Sequence, residues 1–225
     1  MGAVEDVRLL RARLGEAEGR RMDAPVLPVE EGLGELLPGG GLRGGASYTV
    51  APSGALLLAL LARASREGAW CAVVGMPELG AEAAEQAGVA LDRLVLVPEP
   101  GARWLAVTAA LADVLPVVAV RPGGRVSEGE AARLSARLRD RGAVLVAQGV
   151  WPGAEASVEV SEPEWEGLGA GHGHLTARAL TVTVRARRMP VPRRARLLLP
   201  DARGALHAGA ARQPAPVPLP LRAVG

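Results

Sequence analysis

The sequence predicts an α/β domain with a mainly parallel central sheet flanked by helices, and with antiparallel strands added at its C-terminal end. Three observations carry this expectation. Between Ala46 and Ala147, short continuous apolar runs alternate with longer stretches of helical character, the pattern of strands covered on both faces. From Glu155 onward the texture changes to polar/apolar alternation, which suits half-exposed antiparallel strands. The length, 225 residues, allows one good core, so one domain with tails is expected.

Residues 1–24 read as an N-terminal helix and linker. Ala3 to Gly15 places Glu5 and Asp6 in a first turn and Arg8, Arg11 and Arg13 after it, which suits the helix dipole. Val7, Leu10 and Leu14 form one apolar stripe. A helix this short is marginal alone and must dock on something. Gly15 to Asp23 is polar and linker-like.

The α/β domain is expected over residues 25–200. Val29 to Leu36 suggests a short helix, and the glycine-rich run Pro38 to Gly45 a turn. Ala46 to Val50 is a β-prone strand, and Ala51-Pro52-Ser53-Gly54 is turn chemistry. Ser53 is the candidate N-cap of a helix whose Leu/Ala run begins at Ala55. Strands then follow at Ala69–Gly75, Arg93–Val97, Leu115–Val120 and Ala143–Ala147. Between them lie helices at Gly80–Gly88, Ala102–Asp113 and Ser127–Arg141. The last opens on a capping box, Ser127-x-x-Glu130, and buries Ala131, Leu134 and Leu138, leaving Arg133, Arg137, Arg139 and Arg141 outside. Ala156–Val160, Leu175–Val184 and Arg194–Leu199 are the antiparallel additions. Residues 201–225 form a Pro-rich tail, with Pro214, Pro216, Pro218 and Pro220, expected to be disordered alone.

The strand–turn–helix unit from Ala46 is where a P-loop would sit. A working P-loop needs glycine amides around the phosphates, a Lys on the β/γ oxygens and a Ser/Thr hydroxyl on Mg²⁺. Here the Lys and Ser/Thr slots fall on Ala55, Leu56, Leu57 or Leu58. The vestigial loop is Ala51, Pro52, Ser53, Gly54 and Ala55. The sequence has no Lys at all, so all 26 basic residues are Arg, and neither a P-loop ammonium nor a lysine base is possible anywhere. Neither a cofactor nor a metal is expected.

Other chemistry is sparse. The single cysteine, Cys71, excludes an internal disulfide and lies in an apolar strand as a small buried hydrophobe. His172 and His174 flank Gly173 on a glycine-rich loop, with only Glu164 or Glu166 as a third ligand, so a plain loop is the favoured reading. Ser53 lacks the G-x-S-x-G frame of a nucleophile elbow. No apolar run is long enough for a membrane span and Met1 opens no basic-then-apolar leader, so a soluble cytoplasmic protein is expected.

Charge is unevenly placed: residues 1–170 hold 16 Arg against 23 acids, whereas residues 171–225 hold 10 Arg against Asp201 alone. Arg185, Arg187, Arg188, Arg193, Arg194 and Arg196 crowd one hairpin with no acid near them in sequence. They are the candidate contact for a protein partner or nucleic acid, with protection of an exposed strand edge as the plain alternative.

The order of these pieces resembles the RecA family. Gly41-Leu42-Arg43-Gly44-Gly45 leads into strand, turn and helix. Glu67-Gly68-Ala69-Trp70-Cys71-Ala72-Val73-Val74 and Val89-Ala90-Leu91-Asp92-Arg93-Leu94 follow, then Pro98-Glu99-Pro100-Gly101 and Pro116 to Val120. The likeness covers roughly residues 28 to 147 and fails at the chemistry. Besides the missing Lys and Ser/Thr, Glu78 is displaced by one residue from the family's catalytic glutamate, behind Pro77. Arg121 stands where the family's Walker B strand ends in a metal-binding Asp. Among motif-lacking relatives the chain is similar to the ImuA type. That resemblance implies a non-catalytic RecA-like scaffold, not an enzyme, acting in damage-induced mutagenic translesion synthesis. Its expected partner is an ImuB-type Y-family-like protein and, through it, an error-prone DnaE-type polymerase. RecA is a further candidate partner. Direct DNA contact is expected to be weak, no membrane is involved, and the location is cytoplasmic, nucleoid-associated when active. The alternative is a SulA-like regulator of cell division that binds a tubulin-like GTPase.

Overall fold

The computed structural model describes residues 24–168 and 173–206. The expected Ala3–Gly15 helix, His172 with the side chain of His174, and the tail beyond residue 206 lie outside the described residues.

The chain enters as a two-stranded ribbon. β1 (Val26–Pro28) pairs antiparallel with β2 (Gly41–Arg43), and the one-turn α1 (Glu31–Gly34) lies between them. The sequence reading placed only a turn at residues 38–45, so β2 is a correction. The glycines that signalled a turn are there for close approach: a Cβ on Gly41 would stand 2.3 Å from the Leu27 carbonyl oxygen. The buried Tyr48 hydroxyl accepts from the Arg43 backbone N–H at 2.8 Å and ties the ribbon to the main sheet.

That sheet has eight strands in the order β10-β9-β8-β3-β7-β6-β4-β5. β3 (Ser47–Val50), β4 (Cys71–Val74), β5 (Leu94–Val97), β6 (Val117–Val120) and β7 (Val144–Gln148) are parallel to one another, with helices between most of them. α2 (Gly54–Arg66) and α3 (Ala81–Gln86) carry the chain from β3 through β4 to β5. α4 (Trp104–Ala112) and α5 (Glu128–Arg141) carry it back through β6 to β7. Right-handed crossovers demand that outgoing and returning helices take opposite faces. They do: α2 and α3 share one apolar layer with Cys71, Val73, Val144 and Val146, while α4 and α5 share the other with Ala72, Val74, Leu145 and Ala147.

β8 (Ala156–Leu168) pairs parallel with β3 on one side and antiparallel with β9 (Gly173–Ala186) on the other. β10 (Arg193–Leu198) completes the edge antiparallel to β9. The expectation that residues 156–160 form an ordinary antiparallel strand is therefore corrected on the β3 side. Its apolar/polar alternation holds, with Ala156 and Val158 buried and Glu159 exposed. The chain stays packed through Asp201–Leu206, a stretch the sequence reading gave to the tail. Leu206 is buried with the α2 layer, and Asp201 accepts from the backbone N–H groups of Arg203 and Ala205.

α2 is enclosed. Leu56, Leu57, Leu58, Leu60 and Leu61 are each at most 3 % exposed, and Ala62, Ala64 and Ser65 are also buried. A helix apolar all round needs cover on every side. α2 gets it from the sheet and from the N-terminal segment: Leu180, Val182, Val184 and Leu197 of β9 and β10 share its layer, as do Val29, Leu33 and Leu37. Ser53 caps its start as expected, accepting from the Leu56 N–H at 3.3 Å. Ser65 fastens its end: the hydroxyl donates to the Ala62 carbonyl and accepts from the Ala90 N–H at 3.0 Å.

Cys71 is fully buried, and desolvation pushes its thiol up from 9.0 to about 12. Native protein should therefore resist Ellman's reagent at mildly alkaline pH and react completely in guanidinium. Because the folded value is the raised one, this group's contribution to stability is full below pH 9 and lost as pH climbs toward about 12. Rapid native labelling would contradict the burial.

Candidate functional site

In open α/β sheets, ligands settle outside the carboxyl ends of the strands, where neighbouring strands send their chains to opposite faces. β4 and β6 are such neighbours: β4 exits toward α3 and β6 toward α5. The exits are held close by backbone bonds. The Arg121 N–H donates to the Val74 carbonyl and the Gly75 N–H to the Val97 carbonyl, both at 2.9 Å. Gly75 takes φ +78°, and a Cβ there would meet the Arg121 carbonyl oxygen at 2.8 Å.

One polar chain spans this crevice. Arg121 donates from Nε to Gln148 Oε1 at 2.6 Å and from its terminal nitrogen to the Glu78 carboxylate. The three side chains come from the ends of β6, β7 and β4. Gln148 is 5 % exposed, while Arg121 and Glu78 remain open to water at 38 % and 58 %. The hydrogen bond from Arg121 holds the Glu78 carboxyl below the usual carboxylate range, helped by Glu78's own backbone N–H. The sequence reading singled out Arg121 and Glu78 separately, as a misplaced charge and a displaced acid. It missed Gln148, which reads as the last residue of an apolar strand, and it missed that the three join. The only available signal was that each follows an apolar strand in a parallel sheet.

This geometry is chemically quiet. A carboxylate bound to a guanidinium is a poor base, and a guanidinium supplies positive charge without a coordination site. No group of three His, Cys, Asp or Glu able to hold a metal occurs among the described residues. At the neighbouring turn, Ser53 spends its hydroxyl on the α2 N-terminus. Ala51, Pro52, Gly54 and Ala55 offer no side-chain donor at all. Arg121→Ala should let the Glu78 carboxyl return upward toward its ordinary value, read by carbon-detected NMR titration. The depressed value means that the Arg121 contact stabilises above Glu78's unfolded pKa and is lost as pH falls through the folded one. The wild-type advantage over Arg121→Ala should accordingly shrink in acid to what the Gln148 bond supplies.

The arginine hairpin divides into two sets. Arg193 donates to the carbonyls of Glu35 and Leu37 behind α1. Arg196 pairs with Glu164 at 2.6 Å and also reaches the Glu162 carbonyl. Arg185 faces Glu159 at 3.6 Å. The hairpin is thus not free of acids, because β8, distant in sequence, lies beside β9 and brings them. Arg187, Arg188 and Arg194 have exposed side chains and no side-chain partner among the described residues. Arg185 and Arg187 also line a cleft of about 490 Å³, together with Thr49, Val150, Trp151 and Ser157. Among the described residues, no helix is long and apolar enough to cross a membrane.

Comparison with known proteins adds two findings. The model of the MT3502 N-terminal domain matches residues 35–153, a span that holds the turn at residues 51–55 and all three members of the Glu78–Arg121–Gln148 chain. An uncharacterized protein of Mycobacterium tuberculosis, Rv3395c, is 36 % identical over 124 residues, which is 53 % of this chain and 61 % of Rv3395c. The match spans about three fifths of that relative's length.

Proposed function

We propose a function from one premise, that this chain belongs to the MT3502 N-terminal domain family: it is a RecA-like protein without nucleotide turnover that works as a scaffold. The observation that carries this reading is the state of the switch-point crevice. The helix that would present phosphate-binding groups opens on Gly54-Ala55-Leu56, with Leu56 fully buried. The crevice beside it is bridged by Arg121, Glu78 and Gln148. Phosphoryl transfer depends on a positioned cation, an ammonium or guanidinium on the phosphates and a poised base or water-orienting group. Here the cationic group is already engaged by a carboxylate.

The order of elements from residue 41 to 147 supports the RecA-like part of the reading, because the motif fragments fall on β2, β4, β5 and β6 in sequence. The ImuA-type resemblance supplies the biological setting: damage-induced mutagenic synthesis past lesions, with an ImuB-type Y-family-like protein as direct partner and an error-prone DnaE-type polymerase behind it. Arg187, Arg188 and Arg194 are the residues to test for that contact.

Two measurements test the proposal. Purified protein with MgATP should release no phosphate above background. Co-expressed with the ImuB-type protein, it should co-purify after nuclease treatment and without added nucleotide. Arg187→Ala/Arg188→Ala/Arg194→Ala should weaken that capture while leaving the melting temperature unchanged. Turnover, or a complex that forms only with ATP, would overturn the reading.

A further inference from the structure

We propose that the cleft lined by Thr49, Ser157, Arg185 and Arg187 binds a small phosphate ester. The phosphate seats across three strands, and the organic part lies along the crossing at residues 149–155. The proposal does not depend on the scaffold reading.

The cleft exists because of how β7 reaches β8. β3 lies between the two, so residues 149–155 must cross one face of it. Trp151, buried in the layer of α4 and α5, fixes which face. The crossing is fastened at both ends: the Gly149 N–H donates to the Val50 carbonyl at 3.0 Å and the Glu155 N–H to the Ser47 carbonyl at 2.7 Å. No residue of β3, β8, β9 or β10 belongs to the α4 and α5 layer. Their apolar side chains, among them Val50, Ala156, Val158 and Val184, go to the α2 layer instead. What alternates with them is polar. Thr49 lies beside Ser157, and Ser157 opposite Arg185, so two hydroxyls and a guanidinium stand in one row across β3, β8 and β9. Arg187 follows two positions after Arg185 and lines the same cleft. Its N–H donates to the Glu155 carbonyl at 3.3 Å, one ladder step beyond the last strand pair.

These groups are little used within the chain. The Thr49 hydroxyl reaches the Ala156 carbonyl only at 3.5 Å, and the Ser157 hydroxyl makes no bond among the described residues. Arg185 meets Glu159 through Nε at 3.6 Å, too far for a hydrogen bond, and its terminal nitrogens have no partner there. Glu155, the one carboxylate on the lining, forms an ion pair with neither arginine. The donor set selects the ligand. Two guanidinium edges alone fill the roughly four acceptor sites of a carboxylate, whereas the three terminal oxygens of a phosphate take the hydroxyls as well. At about 490 Å³ the cleft has the size of a small-molecule site and not of a single ion. Val150, Ala154 and Ala186 supply apolar wall for the ester's organic part.

Phenyl phosphate is the probe. Calorimetric titration of the full chain should show one saturable site whose affinity falls as salt rises. Arg185→Ala and Arg187→Ala should each raise Kd about tenfold or more. Thr49→Val, which keeps the shape and removes the hydroxyl, should raise it about threefold. Glu155→Gln should lower it, because the opposing charge is gone. Arg188→Ala, outside the lining, should leave Kd unchanged, and all five variants should keep the wild-type melting temperature. Absence of saturable binding would overturn the proposal. So would a Kd indifferent to Arg185 and Arg187, or an equal loss from Arg188→Ala, the mark of a diffuse basic surface. Benzoate or inorganic phosphate bound as tightly as phenyl phosphate would also overturn it. The same holds for a phosphopeptide or 5′-phosphorylated oligonucleotide bound far more tightly, which would make the phosphate part of a macromolecule.

Discussion

Leu60→Ala is expected to destabilise the fold by about 3–5 kcal/mol, near the top of the range for buried leucines. Leu60 is 0 % exposed, and its neighbours Leu57 and Leu61 are equally buried. Its helix shares one apolar layer with the parallel strands, with Leu180, Val182 and Leu197 of the antiparallel ones, and with Leu33 and Leu37 of the N-terminal segment. A truncated side chain on a surface helix leaves a hollow that neighbours partly fill. Around α2 the cover comes from the sheet and from the Val29–Leu37 segment, each held by its own backbone hydrogen bonds, so little of the hollow closes. With about 5–15 kcal/mol typical for a whole domain, this loss is a large share of the total. Guanidinium denaturation gives the value directly. Arg63→Ala in the same helix, at an exposed ion pair with Glu67, should cost less than about 1 kcal/mol. Equal effects at the two positions would show that α2 is not enclosed.

Gly75→Ala is expected to cost about 2–4 kcal/mol, from two sources. A side chain at φ +78° is strained wherever it sits. Here it also meets backbone, the Arg121 carbonyl oxygen at 2.8 Å, which has no rotamer to escape into. Relief must come from parting the ends of β4 and β6, the joint that places Arg121 between Glu78 and Gln148. Two readouts should therefore move together: the denaturation midpoint falls, and the Glu78 carboxyl titrates closer to its ordinary value. Gly54→Ala provides the contrast. It has open space and no positive φ, and it begins a helix, so that change should be neutral or slightly stabilising. If Gly75→Ala shifts stability alone, the two strand ends are not what aligns the Arg121 chain.

Much of the fold was legible in the sequence because its signals are local. Ser53 and the Ser127–Glu130 capping box announce helix starts, and both form as hydrogen-bonded caps. Val117–Val120 and Val144–Gln148 are apolar without alternation because helices cover both their faces. The parallel pairing of β8 to β3 was not legible, since alternation reports which face is wet and not which way the neighbour runs. β2 was hidden by the glycines that its partner's proximity requires. Site residues show the same division. Missing Lys and hydroxyl groups at Ala55 and Leu56 can be read position by position. The joining of Glu78, Arg121 and Gln148, drawn from across 71 positions of chain, depends on sheet order, and no short-range pattern encodes that. For the same reason the acids of β8 beside Arg185 and Arg196 could not be anticipated.

The burial of Leu56–Ala62, about two turns of α2, carries a consequence for control. In proteins that burn nucleotide, loops ordered by the γ-phosphate and its Mg²⁺ report whether fuel is bound. On the RecA-like reading, α2 is fixed within one packed layer, with Leu56–Ala62 buried, and the hydroxyl of Ser53 before it is spent on the helix start. On the scaffold reading, such a protein has no clock of its own. How much complex forms is then set by how many copies the cell makes, through mass action alone.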